Sequence, residues 1–368
     1  MKVAFVHDWL NGMRGGEKCL EALLEVFPDA TVYTLLCEKD KISKTIASHE
    51  ICSTWIEKLP FWRSKYRYYL PLFPSAIRSF KIEGYDLIVS ISHCAAKGIE
   101  VSDGTKHVCY CLTPMRYVWE FKDVYFSSGR FKLLRLFGMN VLLDYLRKWD
   151  LKTAKNVDEF ISISQFVRQR IDKFYRRDSH VIYPPVDTDM FYYHESEKKE
   201  DYDLVVSALV PYKRIDLVID VYNENGRKLK IVGAGTEYER IKNKSHQNIE
   251  FLGWIQDDRM REIYAKARVL IFPGIEDFGI VPLEAQACGT PVIAFNSGGT
   301  LETVIDGKTG LFFQHQQVDS LKEVVEKIDG FVYDRAILRN NALRFSRDQF
   351  KEKMFDSLIS SLGGKKDR

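Results

Sequence analysis

Cysteine is sparse and unordered in this chain. Seven occur in 368 residues (Cys19, Cys37, Cys52, Cys94, Cys109, Cys111 and Cys288), with no CxxC pair among them. An odd, scattered set without paired spacing reads as buried, reduced thiols in a reducing compartment. Cys109 and Cys111 stand two apart in an apolar run and would share one strand face, but no second ligand pair accompanies them, so no metal is expected. Long apolar stretches are missing too: no window approaches eighteen apolar residues, which excludes a spanning helix. The opening MKVAFVHDWL holds one lysine and no cleavage site, and is expected to be a first strand rather than a signal peptide. Excess charge of one sign is also lacking. A net +3 is too small to mark nucleic acid as a general partner. Fixed-period repeats and low-complexity tracts are absent.

What remains is strand, helix, strand, repeated. KVAFV (2–6), TVYTLL (31–36), YDLIVSIS (85–92), HVCYCL (107–112), EFISIS (159–164) and SHVIYP (179–184) are short β-branched or aromatic runs. A second series follows: DLVVSAL (203–209), KLKIVG (228–233), IEFLG (249–253), RVLIFP (268–273), PVIAF (291–295) and GLFF (310–313). Continuous apolar strands alternating with helical patterns predict an α/β protein with parallel sheets covered on both faces. The polar stretch 189–203 separates the two series, so two doubly wound domains are expected. A helical pattern over about 341–361 closes the chain, and the tail GGKKDR is expected to fray.

The chemistry concentrates in PGIEDFGIVPLEAQACGTPVIAFNSGG (273–299). RVLIFPG ends a buried strand, and VPLEAQA opens a helix near Val281 or Pro282. IEDFG therefore lies in a loop at the carboxyl end of a parallel strand, where open α/β sheets bind ligands. Phe278 and Gly279 at the helix start offer backbone N–H groups to an anion, and glycine permits close approach. Glu284, a turn into the helix, suits vicinal hydroxyls such as those of a ribose. Glu276 precedes the turn. On spacing alone, a capping acid plus a solvated glutamate is the better account of the pair. Lys213 and Arg214 follow another strand and place two cations at a carboxyl edge. In GMRGGEK (12–18), Gly15 and Gly16 open a helix after the first strand. There Asp8 is a loop cap or a sugar ligand. His93 closes YDLIVSIS.

EDFGIVPLEAQACGTPVIA resembles the EX7E signature of retaining glycosyltransferases of family 4, whose GT-B architecture has two facing Rossmann-like, doubly wound parallel-sheet domains. FLGWIQDDRMREIYAKARVLIFPG, NSGGTLETVIDGKTGLFF, VPYKRIDLVID and VIYPPVDTDMF fit that family, as do HDWLNGMRGGEK, YDLIVSISHCAAKGI and CYCLTPMRYVWE. The likeness runs from residue 3 to about 350 and is nearest to bacterial mannosyltransferase-type members that build surface polysaccharides. It implies an acceptor-side domain (1–188), a linker (189–202), a nucleotide-sugar domain (203–345) and a closing helix and tail (346–368). The tail segment is expected to pack toward the first domain.

The resemblance also implies a reaction. A sugar, first of all mannose, would pass from a nucleotide-diphosphate donor (GDP-mannose or a UDP-sugar) to a lipid-linked or oligosaccharide acceptor, without metal or cofactor. Glu276, Lys213, Arg214 and His93 would form the catalytic set. Glu284, Phe278, Gly279, Gly15, Gly16 and Asp8 would hold the nucleotide sugar. Two departures stand out: Ala208 occupies a place where the family commonly has arginine, and Leu112 one where close relatives often have histidine. Arg214 is expected to supply the missing charge. The departures also leave room for a catalytically silent nucleotide-sugar sensor.

Aromatics interleave with five Lys or Arg, and with no acid, in LPFWRSKYRYYLPLFPSAIRSFK (59–81). RFKLLRLFGMNVLLDYLRKW (130–149) mixes leucines with cations. Such segments suit an anionic headgroup layer and predict a cytoplasmic protein peripheral to the inner face of the cell membrane. Single-stranded nucleic acid is the other use of such a patch and is disfavoured by the near-neutral net charge.

Overall fold

A computed structural model of the chain describes residues 1–120 and 132–363. The chain divides into two compact units, Met1–Pro185 together with the segment from Asp348 onward, and Val186–Arg347.

The first unit is built on seven parallel strands: β1 (Val3–His7), β2 (Thr31–Thr34), β3 (Ile51–Ser53), β4 (Leu87–Ser92), β5 (Lys106–Cys111), β6 (Glu159–Ser162) and β7 (His180–Val181). Their order is β3-β2-β1-β4-β5-β6-β7. β1 and β4 are buried along their whole length, as expected of central strands covered on both faces. They pair in register from Val3 on Leu87 to His7 on Ile91. Helix α1 (Gly15–Val26) follows β1 and buries Cys19, Leu20, Leu23 and Leu24. Its start is fixed by Glu17, whose carboxylate accepts the Arg14 N–H at 3.2 Å. β3 was not expected, because ICS is too short to stand out as a run. SHVIYP contracts to two strand residues, since Pro184 and Pro185 lack the N–H that would extend it.

The closing segment is two helices, Arg335–Leu343 and Arg347–Gly363, rather than one. The break between them is held by the Val186 N–H, which donates to the Phe345 carbonyl at 2.8 Å. From Asp348 onward the chain belongs to the first unit. Phe350 packs on Tyr110 (ring centroids 5.6 Å) and Phe355 on Phe27 (6.0 Å), while the Ser361 hydroxyl donates to Glu159 at 2.5 Å. The tail expected to fray, 364–368, lies outside the described residues. So does the start of the cationic stretch 130–149, of which the backbone is helical over Lys132–Ala154. Among the described residues no helix is long and apolar enough to cross a membrane.

The second unit carries six parallel strands: β8 (Asp203–Val206), β9 (Leu229–Val232), β10 (Ile249–Gly253), β11 (Leu270–Phe272), β12 (Val292–Phe295) and β13 (Gly310–Phe313). Their order is β10-β9-β8-β11-β12-β13. Helix α2 (Ile215–Asn225) follows β8, and α3 (Ile280–Ala287) follows β11. One core lies around α2 and includes Leu217, Val218, Val221 and Tyr222; a second includes Phe191, Tyr264, Leu270 and Ala285. The polar stretch between the two strand series is anchored in this unit. Phe191 is buried against Tyr264, and Arg339 donates to the Phe191 and Thr188 carbonyls. All seven cysteines are free thiols; five are buried as expected, but Cys37 and Cys52 are half-exposed.

Candidate active site

Each sheet reverses its winding once. In the second unit, strands β8, β9 and β10 run outward to one side, then the chain returns to lay β11 against the other side of β8. The loops leaving β8 and β11 therefore diverge at the carboxyl edge and leave a crevice, the ordinary ligand position in such sheets. Across it the Lys213 ammonium and the Glu276 carboxylate form an ion pair, each side chain mostly shielded from solvent (14% and 18% exposed). Lys213 ends a 3-10 turn begun at Pro211, and Arg214 takes a left-handed conformation (φ 56°) before α2. The two adjacent cations therefore diverge. Arg214 turns back to Asp216, with Nε 3.3 Å from Oδ1, rather than joining Lys213 at Glu276.

The crevice floor is main chain brought close by glycine. A Cβ on Gly274 would lie 3.1 Å from the Lys213 Cα. One on Gly298 would lie 2.6 Å from the Glu276 carbonyl oxygen, and one on Gly299 would lie 2.3 Å from the Phe278 Cα. Instead the Gly299 N–H donates to that Glu276 carbonyl at 2.8 Å. Gly279, at φ 99°, turns the loop into α3 and opens the helix N-terminus. The Phe278 ring points inward, buried against Phe345 at 5.5 Å, so only its backbone remains at the edge. Glu284 lies in α3 and is buried; one of its oxygens accepts from the Tyr264 hydroxyl at 3.0 Å. The neighbouring Cys288 thiol is pushed well above its usual pKa by burial, with the Glu284 charge adding to the effect. Ala208 is exposed on the β8 loop.

Sequence reasoning passed over three residues of this edge. Gly233 and Gly235 follow β9, and a Cβ on either would lie 1.9 Å from the Ser207 carbonyl oxygen or 2.2 Å from that of Leu209. The signal was present as a GAG triplet closing a buried strand. Trp254, 76% exposed just beyond β10, presents an aromatic face at the same carboxyl edge.

The first unit reverses between β1 and β4. There Asp8 is fully buried and accepts four backbone N–H groups: His93 (2.6 Å) and Cys94 (2.9 Å) on one oxygen, Ala95 (2.5 Å) and Ala96 (2.7 Å) on the other. The His93 Nδ1 also lies 2.9 Å from Asp8, at ion-pair distance. Burial alone would favour the neutral acid, but the His93 ring and N–H donors outweigh it and hold this carboxyl well below the usual range. Of the two readings of Asp8, this geometry is that of a loop cap. His93, about one-quarter exposed, meets the edge of Trp9 at 4.5 Å. Gly16 closes α1 onto β1: a Cβ there would lie 3.1 Å from the His7 Nε2 and 2.8 Å from the Leu112 Cδ1. Gly15 precedes it at the helix start, half-buried. Among the described residues no group of three or more His, Cys, Asp or Glu is arranged to hold a metal ion.

The profile of the Glycosyl transferases group 1 family matches residues 188–342, and that of Glycosyltransferase Family 4 matches residues 15–190. The chain belongs to these GT-B glycosyltransferases. An uncharacterized glycosyltransferase of Methanocaldococcus jannaschii is 32% identical over 197 residues, covering 52% of this chain and 55% of that one. A GDP-mannose-dependent alpha-(1-6)-phosphatidylinositol monomannoside mannosyltransferase of Mycobacterium tuberculosis is 31% identical over 207 residues, covering 48% and 54%. The matches thus span about half the length of these curated relatives. Anabaena HepE in complex with UDP superposes with a TM-score of 0.71 at 18% identity, over 98% of this chain and 100% of that one, a likeness of fold.

Proposed function

We propose that this GT-B family member is a retaining glycosyltransferase that moves a hexose from a nucleotide-diphosphate donor to a lipid-linked or oligosaccharide acceptor in surface polysaccharide synthesis. The observation that carries the reading is the Lys213–Glu276 pair at the second unit's point of reversal, beside the N-terminus of α3. A cation, a helix N-terminus and an acid at one edge match the parts of a sugar diphosphate: Lys213 for the phosphates, Glu276 for the sugar hydroxyls, Glu284 for the ribose. On the first unit, Gly15, Gly16 and His93 would contact substrate, and Asp8 would fix the loop that carries His93. Arg214 would add charge when its partner Asp216 releases it.

In this scheme the bond between the anomeric carbon and the diphosphate oxygen breaks as the acceptor hydroxyl oxygen attacks from the same face. The hydroxyl proton passes to the departing phosphate oxygen, and the products are a glycoside and a nucleoside diphosphate. Lys213 and the α3 amides stabilise the charge that develops on the leaving group, so no covalent enzyme intermediate is required. GDP-mannose is the favoured donor because the mycobacterial relative is described as GDP-mannose-dependent. UDP-sugars are the alternative, since the Anabaena structure holds UDP.

A thermal-shift screen against nucleotide sugars identifies the donor, because ligand at a hundredfold its Kd adds about 2.7 kcal/mol. Nucleoside diphosphate release is then measured with and without acceptor. Release only when both substrates are present supports the transferase; a thermal shift without release under any acceptor leaves a nucleotide-sugar sensor, the reading that Ala208 and Leu112 would permit.

A further inference from the structure

The connection between β3 and β4 in the first unit is a chain of short helical turns with two faces. Its inner face is aromatic and buried: Tyr66 and Phe73 pack on Trp9, with ring centroids at 5.3 and 6.2 Å. Its outer face carries Phe61 (71% exposed), Tyr68 (78%) and Leu72 (38%), among the exposed Arg63, Lys65 and Arg67. No aspartate or glutamate occurs from Lys58 through Ile82.

Two details separate this face from an ordinary surface. Phe61 sits at φ 55°, a left-handed conformation that bulky side chains rarely adopt, and gains little burial in return. Its carbonyl accepts the Lys65 N–H at 2.8 Å and so opens the next helical turn, yet the ring itself is left in solvent. The cations, moreover, lie over rings: Lys65 over Phe61 at 5.1 Å, Arg63 over Trp62 at 4.6 Å and Arg67 over Tyr66 at 5.5 Å. Glu38 lies 3.9 Å from Arg63, but is buried and more closely engaged by Lys41 at 2.7 Å.

We infer that this face docks on an anionic lipid bilayer, with Phe61, Tyr68 and Leu72 entering the headgroup layer and Arg63, Lys65 and Arg67 pairing with lipid phosphates. Rings with polar or cationic rims partition to that layer, and a cluster of cations with no acid in its own stretch of chain is complementary to a negative leaflet. The inner face links the patch to the functional end of the unit, because Trp9, on which Tyr66 and Phe73 rest, also meets His93. The membrane seat is thereby packed, through Trp9, against the loop that carries His93. The docking stands apart from the transferase reading, since it needs neither donor nor acceptor.

Co-sedimentation of the full chain with vesicles tests it. Binding is expected to phosphatidylcholine vesicles containing phosphatidylglycerol, not to phosphatidylcholine alone, and to weaken as salt rises. The triple variant R63Q/K65Q/R67Q is expected to lower partitioning on the order of a hundredfold. F61N/Y68S is expected to lower it at unchanged salt dependence; asparagine tolerates the left-handed backbone, so a circular-dichroism melt should match the parent. Failure to bind anionic vesicles, or equal binding by both variants, overturns the inference. So does binding of a single-stranded oligonucleotide that the same substitutions abolish, which would make the patch a nucleic-acid platform.

Discussion

The two sheets reverse at equivalent places, yet the chemistry at those places is used differently. In the first unit an acid meets a histidine, and in the second a lysine meets a glutamate. Asp8 has no exposure, and its oxygens are taken by four main-chain donors; it holds the 93–96 loop in shape. Lys213 and Glu276 retain partial exposure and hold each other across the crevice. The acid–base contact at the point of reversal is therefore fully enclosed in one unit and partly open to solvent in the other. What separates them is how many hydrogen bonds each carboxylate already accepts, not which residues are present.

The largest expected effect breaks the more open contact. Lys213→Ala should lower kcat by about two to three orders of magnitude, the usual consequence of removing one group that stabilises developing charge. The melting temperature should fall by a few degrees at most, because the Glu276 carboxylate left behind keeps some contact with water. Steady-state kinetics beside a calorimetric melt would separate the two; a large loss of stability with intact turnover would make this pair a brace as well.

The next effect is pH. His107, buried on β5 with its Nε2 2.9 Å from the Ser90 hydroxyl, is drawn down by burial from 6.5 to about 4. The unfolded chain then binds the extra proton between about pH 4 and 6.5, so stability rises with pH through that window. It is lost on acidification, on the order of 3 kcal/mol from this group. His7, also depressed by burial, acts in the same direction. The second unit differs: Lys199, donating to the Thr290 hydroxyl at 2.5 Å, is lowered from 10.5 to about 7 by burial. Its penalty is present below pH 7 and relaxes as pH rises toward 10.5. Peptide-resolved hydrogen exchange at pH 4.5 and 6.5 should show the first unit losing protection first.

Smaller still is the brace. Asp8→Asn leaves one acceptor oxygen for four donors and should cost about 2 kcal/mol, a few degrees in Tm. Turnover should fall only as far as the His93 loop loosens, read as lost exchange protection at 93–96. Least is Tyr264→Phe, which removes one hydrogen bond to Glu284. It should weaken donor binding by about fivefold, near 1 kcal/mol, measured by titration calorimetry.

Much of the fold could be read from the chain because buried parallel strands are apolar without interruption, as LIVSIS and LVV are. ICS and HV escaped notice or were overdrawn because edge strands are short and only half covered. At the site, the carboxyl-edge location of Glu276 and Glu284 was legible from the strand–Gly–Pro-helix grammar around them. Their partners were not. That Lys213 meets Glu276 depends on β8 and β11 being neighbours, a fact of strand order that no local pattern encodes. Arg214 was expected to face the same ligand, yet the acid two residues on, Asp216, offered a local partner visible in KRID. Asp8 was left between two roles because the four amides that decide it come from a loop some eighty-five residues away.

The glycine-lined rim has a practical corollary. At 233, 235, 298 and 299 neighbouring loops touch main chain to main chain, so there are no side chains between them to trim or enlarge. Redirecting this protein to another sugar would then be a matter of transplanting entire loops as matched sets, with point changes confined to positions such as Ala208 and Trp254 that already project into open space.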